Sequence, residues 1–189
     1  MNYIILQIVA FFFALIYASF FEWTLHRFFM HRITWGIVYP FKSHAQVHHK
    51  VFKSDHTYLI QRPEDEHLIT FAWWNYPLLL GLNAPFILGL ELIGFRVSLG
   101  VVLGMSVYYA LYEYLHFAMH KPLGRFFEGW KFFQFINRHH RIHHKYMHRN
   151  LNVVMPLADL SFRTLILHPK SPITAGEPEL RPIKKAVPA

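Results

Sequence analysis

Apolar side chains fill the chain from Tyr3 to Trp23 almost without interruption, and the only ionisable groups among them are tyrosines and Glu22. About 20 such residues carry a helix across a bilayer, so the stretch predicts a spanning helix. No Lys or Arg precedes Arg27, so the basic start of a cleaved signal peptide is missing and the helix is expected to be retained. A second apolar stretch covers 68–94, broken by Pro77 and Pro85, and a third covers 97–115, with Gly94-Phe95-Arg96 as the turn between them. The prolines predict a kinked span or a re-entrant segment. Met155 to Leu167 is apolar but contains Asp159 and Arg163, and reads as an interfacial or re-entrant piece. Residues 1–168 are then one membrane domain, and 169–189 a Pro-rich, poorly ordered tail.

Charge gives this pattern an orientation. Of 19 Lys and Arg residues, none precedes the first predicted span, six lie between His26 and His67, one is in the turn, and twelve follow His116. Basic loops stay in the cytoplasm, which puts the N-terminus outside and both histidine-rich segments inside. A net charge of +8 also raises nucleic acid as a partner, but such a domain would not carry three spanning stretches; the charge reads as topology signal and anionic-lipid contact. Trp23, Trp35, Trp73, Trp74 and Trp130 are expected at the membrane boundary. The absence of cysteine removes disulfides, thiolate metal sites, iron–sulfur clusters and thiol nucleophiles.

Fifteen histidines remain to be explained, and most are clustered. The chain repeats itself: Phe21-Glu22-Trp23-Thr24-Leu25-His26, followed by His31, is matched by Tyr112-Glu113-Tyr114-Leu115-His116, followed by His120. Later, His44-Ala45-Gln46-Val47-His48-His49-Lys50 is matched by His139-His140-Arg141-Ile142-His143-His144-Lys145. Two such halves can enclose one buried centre with pseudo-twofold symmetry. Helical residues three or four apart share a face. His44 with His48, His116 with His120, His139 with His143, and His140 with His143 and His144 are therefore candidate ligand sets. His26 and His31, five apart, lie about 140° apart on a regular helix, so either one comes from an unwound end or they serve different metals. Neutral imidazole suits iron, copper, nickel and zinc, and so many converging rings exceed what one ion can use. The candidate ligands are His26, His31, His44, His48, His49, His116, His120, His139, His140, His143 and His144. His56, His67, His148 and His168 read as ordinary polar side chains. Glu22 and Glu113 are placed to orient a ligand through its second ring nitrogen; as alternatives, they ligate directly or reach to the interface.

The order HxxxxH at His26 and His31, HxxxHH at His44 to His49, HxxxH at His116 and His120, and HxxHH at His140 to His144 resembles the fatty acid hydroxylase and sterol desaturase superfamily. Asn152 to Asp159 is similar to the stretch that follows the last cluster there. The chain departs from the pattern in places: three residues instead of two separate His44 from His48, Arg163 stands where a small residue is usual, and in the last cluster both His139, by the internal repeat, and His140, by the family spacing, are candidates for the first ligand. The resemblance implies an all-α membrane bundle with a cytoplasmic histidine-rich dimetal cap. It also implies two iron ions, dioxygen as co-substrate, and C–H hydroxylation of a fatty acyl or related lipid. Zinc can replace iron in purified protein. Electrons are expected from a separate protein of ferredoxin or cytochrome b5 type, and no nucleic-acid partner is expected. Desaturation of a lipid or sterol is the alternative within the superfamily. A membrane metal-ion transporter or store is the alternative outside it, disfavoured because transport wants ligands near the bilayer midplane.

Overall fold

Helix α1 spans Tyr3–Leu25 and continues as a widened π-helical turn over His26–Met30. The computed structural model describes residues 2–169; of the expected Pro-rich tail, everything after Pro169 lies outside them. After α1 come two single turns, α2 at Tyr39–Phe41 and α3 at His49–Val51, joined by a second π-helical run over Lys42–His48. Two 3₁₀ segments, His56–Tyr58 and Pro63–Leu68, lead to α4 at Asn75–Leu92, α5 at Ser98–His120, α6 at Lys131–Lys145 and the short α7 at Leu157–Ser161. Among the described residues the structure is helical, with a lone bridge between Thr34 and Ile37 as its one extended pairing. One helix among them, Tyr3–Met30, is long and apolar enough to cross a membrane. The apolar stretch at 68–94 becomes helical only from Asn75, with Pro85 inside the helix, and α5 runs past 115 to carry His116 and His120.

Small residues set the central packing. Ala10, Ala14 and Ala18 repeat every fourth position on the buried face of α1, and Gly100 and Gly104 do the same on α5. Such stripes let two backbones approach closely. A Cβ on Gly104 would lie 2.6 Å from the Phe11 carbonyl oxygen and 2.7 Å from Ala14 Cβ, closer than side chains tolerate. The two helices run parallel. Near the start of both, the Gln7 amide accepts from the Gly100 N–H (2.7 Å) and donates to the Arg96 carbonyl (2.5 Å). Near their far ends Tyr108 donates its hydroxyl proton to Glu22 (2.6 Å). The histidines at the C-terminal ends of α1 and α5 are therefore delivered to the same end of the bundle. Helix α4 returns antiparallel beside them, tied by Tyr17 to Asn83 (2.7 Å) and Tyr76 to Ser106 (2.6 Å). Helix α6 lies across the histidine end, burying Phe133, Ile136, His140, His143 and His144, an i, i+3, i+4 face.

Candidate metal centre

Ten histidines meet at that end in two buried groups of five. His26, His31, His44, His49 and His143 form one; His48, His116, His120, His140 and His144 form the other, and within each group the ligand atoms all lie within 4.8 Å of one another. None of the ten exceeds 7 % exposure.

The pairing differs from what helical spacing predicts, and the π-helical turns are the reason. The N–H of His31 donates to the carbonyl of His26 (3.1 Å), and that of His49 to His44, so both are i to i+5 bonds. A turn widened by one residue brings positions five apart onto one face. His26 and His31 therefore join one group, and His44 joins His49 and not His48, which points to the other group. Helices α5 and α6 are regular, and there the i, i+4 pairs His116/His120 and His140/His144 meet. His143 crosses to the first group. His139 joins neither: its Nε2 lies 3.3 Å from the buried carboxylate of Asp159.

The ring protons can be located from their acceptors. Nδ1 of His26 faces the Leu151 carbonyl, that of His48 the Leu68 carbonyl (3.0 Å), and that of His120 the Tyr58 carbonyl (2.7 Å). His143 and His144 face the carbonyls of Arg149 (2.8 Å) and Phe52 (2.5 Å). A carbonyl only accepts, so in these rings Nδ1 holds the proton and Nε2 presents a bare lone pair. Those Nε2 atoms converge. His26 to His44 is 2.8 Å, His44 to His49 is 3.0 Å, and His143 lies 3.1 Å from both His31 and His49. In the other group His140 lies 3.0 Å from His144 and 3.3 Å from His120, while Nε2 of His48 and of His116 has no hydrogen-bond partner.

The Nε2 atoms of His26 and His143 are bare and are linked through those of His44 and His49, and no placement of single protons on the two middle rings makes all three contacts hydrogen bonds, so a cation among them resolves the conflict. With metal–nitrogen bonds of about 2.0–2.1 Å, two ligands at a right angle are separated by roughly 3.0 Å, which is the spacing found. Two divalent ions fit the donor sets. Burial, reinforced by neighbouring imidazoles, keeps the rings neutral: it pushes His31 down to about 2, and His44, His49, His140, His143 and His144 below the usual range. Burial also pushes His48 down to about 4.

Neither predicted orienting carboxylate bonds a histidine ring. Glu22 accepts from Tyr108, from the Asn152 amide (3.1 Å) and from the Val153 N–H (2.5 Å). Glu113 accepts from the Phe71 N–H (3.1 Å). The orienting is done by backbone carbonyls, and Glu22 acts one step back by holding the strap that presents Leu151. Asp159 holds the same strap through the N–H groups of Leu151 (2.9 Å) and Asn152 (2.7 Å) and the Thr164 hydroxyl (2.6 Å). Burial opposes charge on Asp159, yet its hydrogen bonds keep its pKa below the usual value. Sequence reasoning assigned no role to Asn152, Asp159 or Tyr108; polar residues inside the apolar stretch after His148 were the available signal. Arg163, the departure from the small-residue pattern, sits at φ 56°, a conformation that favours glycine.

Beside the first histidine group, a cavity of about 350 Å³ opens between α1, α4 and α5, lined by His26 and Glu22 and by apolar and aromatic side chains such as Phe21, Leu79, Met105 and Tyr112. That volume is typical of a small-molecule pocket. Residues 11–164 match the model of the family described as fatty acid hydroxylase. No curated protein and no solved structure matches the chain.

Proposed function

The chain belongs to the fatty acid hydroxylase family, and from that premise we propose that it is a dioxygen-dependent lipid hydroxylase working at two iron ions. The observation that carries this reading is the pair of five-nitrogen groups, the first of which meets an apolar cavity through His26. Two irons, when bound, supply the reductive activation of dioxygen, which no side chain can perform. His26, His31, His44, His49 and His143 would hold one, and His48, His116, His120, His140 and His144 the other. The residues of the chain do the remainder. Carbonyl-anchored rings keep their Nε2 atoms aimed at fixed points, and the apolar walls admit a hydrocarbon and exclude water. His26 lines the cavity, so a chain lying in it can present a C–H bond to the first group. Electrons come from a separate carrier of ferredoxin or cytochrome b5 type.

In this reading α1, α4 and α5 all cross the bilayer, with the N-terminus and the Gly94 to Arg96 turn outside and the histidine groups on the basic, cytoplasmic side. The cap is two pseudo-repeats that exchange a ligand: each half gives four histidines to one group and one to the other. His48 and His143 are the exchanged pair.

The test is mass spectrometry of host lipids under labelled dioxygen, comparing the parent protein with His49→Ala and His144→Ala. A labelled hydroxyl that depends on both histidines is expected. A new double bond without label would move the assignment to desaturation, and an unchanged lipid profile would reject lipid oxidation.

A further inference from the structure

We propose that the Thr34–Ile37 turn is a membrane-inserted portal through which the lipid passes sideways from the leaflet into the cavity. The turn closes by a hydrogen bond from the Ile37 N–H to the Thr34 carbonyl (3.0 Å), with Trp35 at φ 51° and Gly36 at φ 75°. This left-handed backbone suits Asn or Gly at the first position, yet an indole stands there and is 87 % exposed. Folding gains little from an indole in that position. Trp73 is 83 % exposed, and its neighbour Trp74 packs on Tyr39 of α2, two residues after the turn, with ring centres 5.1 Å apart.

Three observations identify the bilayer interface as what covers this surface. First, the turn follows directly on the apolar helix Tyr3–Met30, so it lies at the depth where that helix ends. Second, its charges match: Arg32 and Lys42 flank it, and no acidic residue occurs from Trp23 to Ser54. Aromatic rings beside basic side chains are the signature of a segment resting in an anionic lipid interface. Third, the surface is continuous with the cavity. Trp35 and Ile37 of the turn and Leu78 and Leu82 of α4 all line the cavity and are all exposed at the surface. A chain sliding between the turn and α4 would leave lipid and reach His26 without crossing water.

The identity of what passes rests on the lipid-oxidation reading, but the depth of the turn does not, so two measurements separate them. The protein has no native cysteine, so Trp35→Cys and Lys53→Cys can each carry a single nitroxide in zinc-loaded protein, reconstituted in vesicles of phosphatidylcholine and phosphatidylglycerol. At position 35 collisions with dissolved oxygen should dominate over those with a water-soluble nickel chelate, and at the exposed position 53 the order should reverse. An aqueous profile at both positions overturns the proposal. In the second measurement Trp35→Ser should raise KM several-fold more for a lipid presented in vesicles than for the same lipid presented in detergent micelles. An interfacial profile with no such difference in KM makes the turn an anchor only and rejects the portal; an interfacial profile in a protein that oxidises no lipid rejects the functional reading.

Discussion

The carboxylate of Asp159 accepts from two backbone N–H groups and the Thr164 hydroxyl while fully buried. Replacing it with Ala leaves the N–H groups of Leu151 and Asn152 without acceptors, at about 1–3 kcal/mol each. Asp159→Ala should therefore destabilise the protein by about 3 kcal/mol or more. It should also free the carbonyl of Leu151, and with it the ring of His26. Thermal unfolding in detergent checks the first effect, and preferential loss of one of two bound metals checks the second. The ligand rings make a separate prediction about pH. Burial pushes His48 from 6.5 down to about 4 and lowers its neighbours in both groups. A depressed folded-state pKa means the unfolded chain binds more protons, so the stability contribution is complete above pH 6.5 and drains away as pH falls toward the folded value. Each such ring costs up to about 1.4 kcal/mol per pH unit in that window. The unfolding midpoint of metal-stripped protein should therefore drop steeply between pH 6.5 and 5; a flat profile would contradict buried neutral imidazoles.

At the scale of elements, the α1–α5 contact is the joint that aligns the histidine-bearing helix ends, and it depends on glycine. Gly104→Leu would drive a side chain into the Phe11 carbonyl and Ala14, whereas a Cβ on Gly81 of α4 meets nothing within 4 Å. The first substitution should cost several kcal/mol and lower metal content. Gly81→Ala should be neutral or stabilising by up to about 1 kcal/mol, since alanine is the better helix former. Unfolding in the same detergent compares them directly. Much of this level is legible in the sequence: apolar runs mark α1, α4 and α5, and the cluster residues other than His139 do converge. The pairing within clusters is not legible, because residue spacing says nothing about whether a turn closes with an i+4 or an i+5 bond. The orienting partners of the rings were missed for a similar reason. Backbone carbonyls have no side-chain signature, and Glu22, placed by its spacing to reach a histidine, is claimed instead by a strap 130 residues away.

At the scale of the whole molecule, the decisive feature is that neighbours in sequence are separated in space. His48 and His49 belong to different groups, as do His143 and His144. Each group is incomplete without a ring from the other half of the chain, so binding at either group should stabilise both halves, because ligand binding stabilises whatever it holds in the folded form. The exchange also makes double variants diagnostic. Helical spacing alone would place His44 and His48 on one ion; the geometry places His44 with His49 and His143, and His48 with His140 and His144. His48→Ala combined with His140→Ala then damages one group twice, whereas His48→Ala combined with His44→Ala damages each group once. Effects confined to one group do not add, and effects in two groups do. Elemental analysis should find about two ions per chain in the parent protein, about one in the His48/His140 double variant and close to none in the His48/His44 variant. Circular dichroism of each preparation establishes that the helices survive. If the His48/His44 variant kept the larger metal content, the pairing through widened turns would be wrong, and the simpler i, i+4 arrangement would replace it.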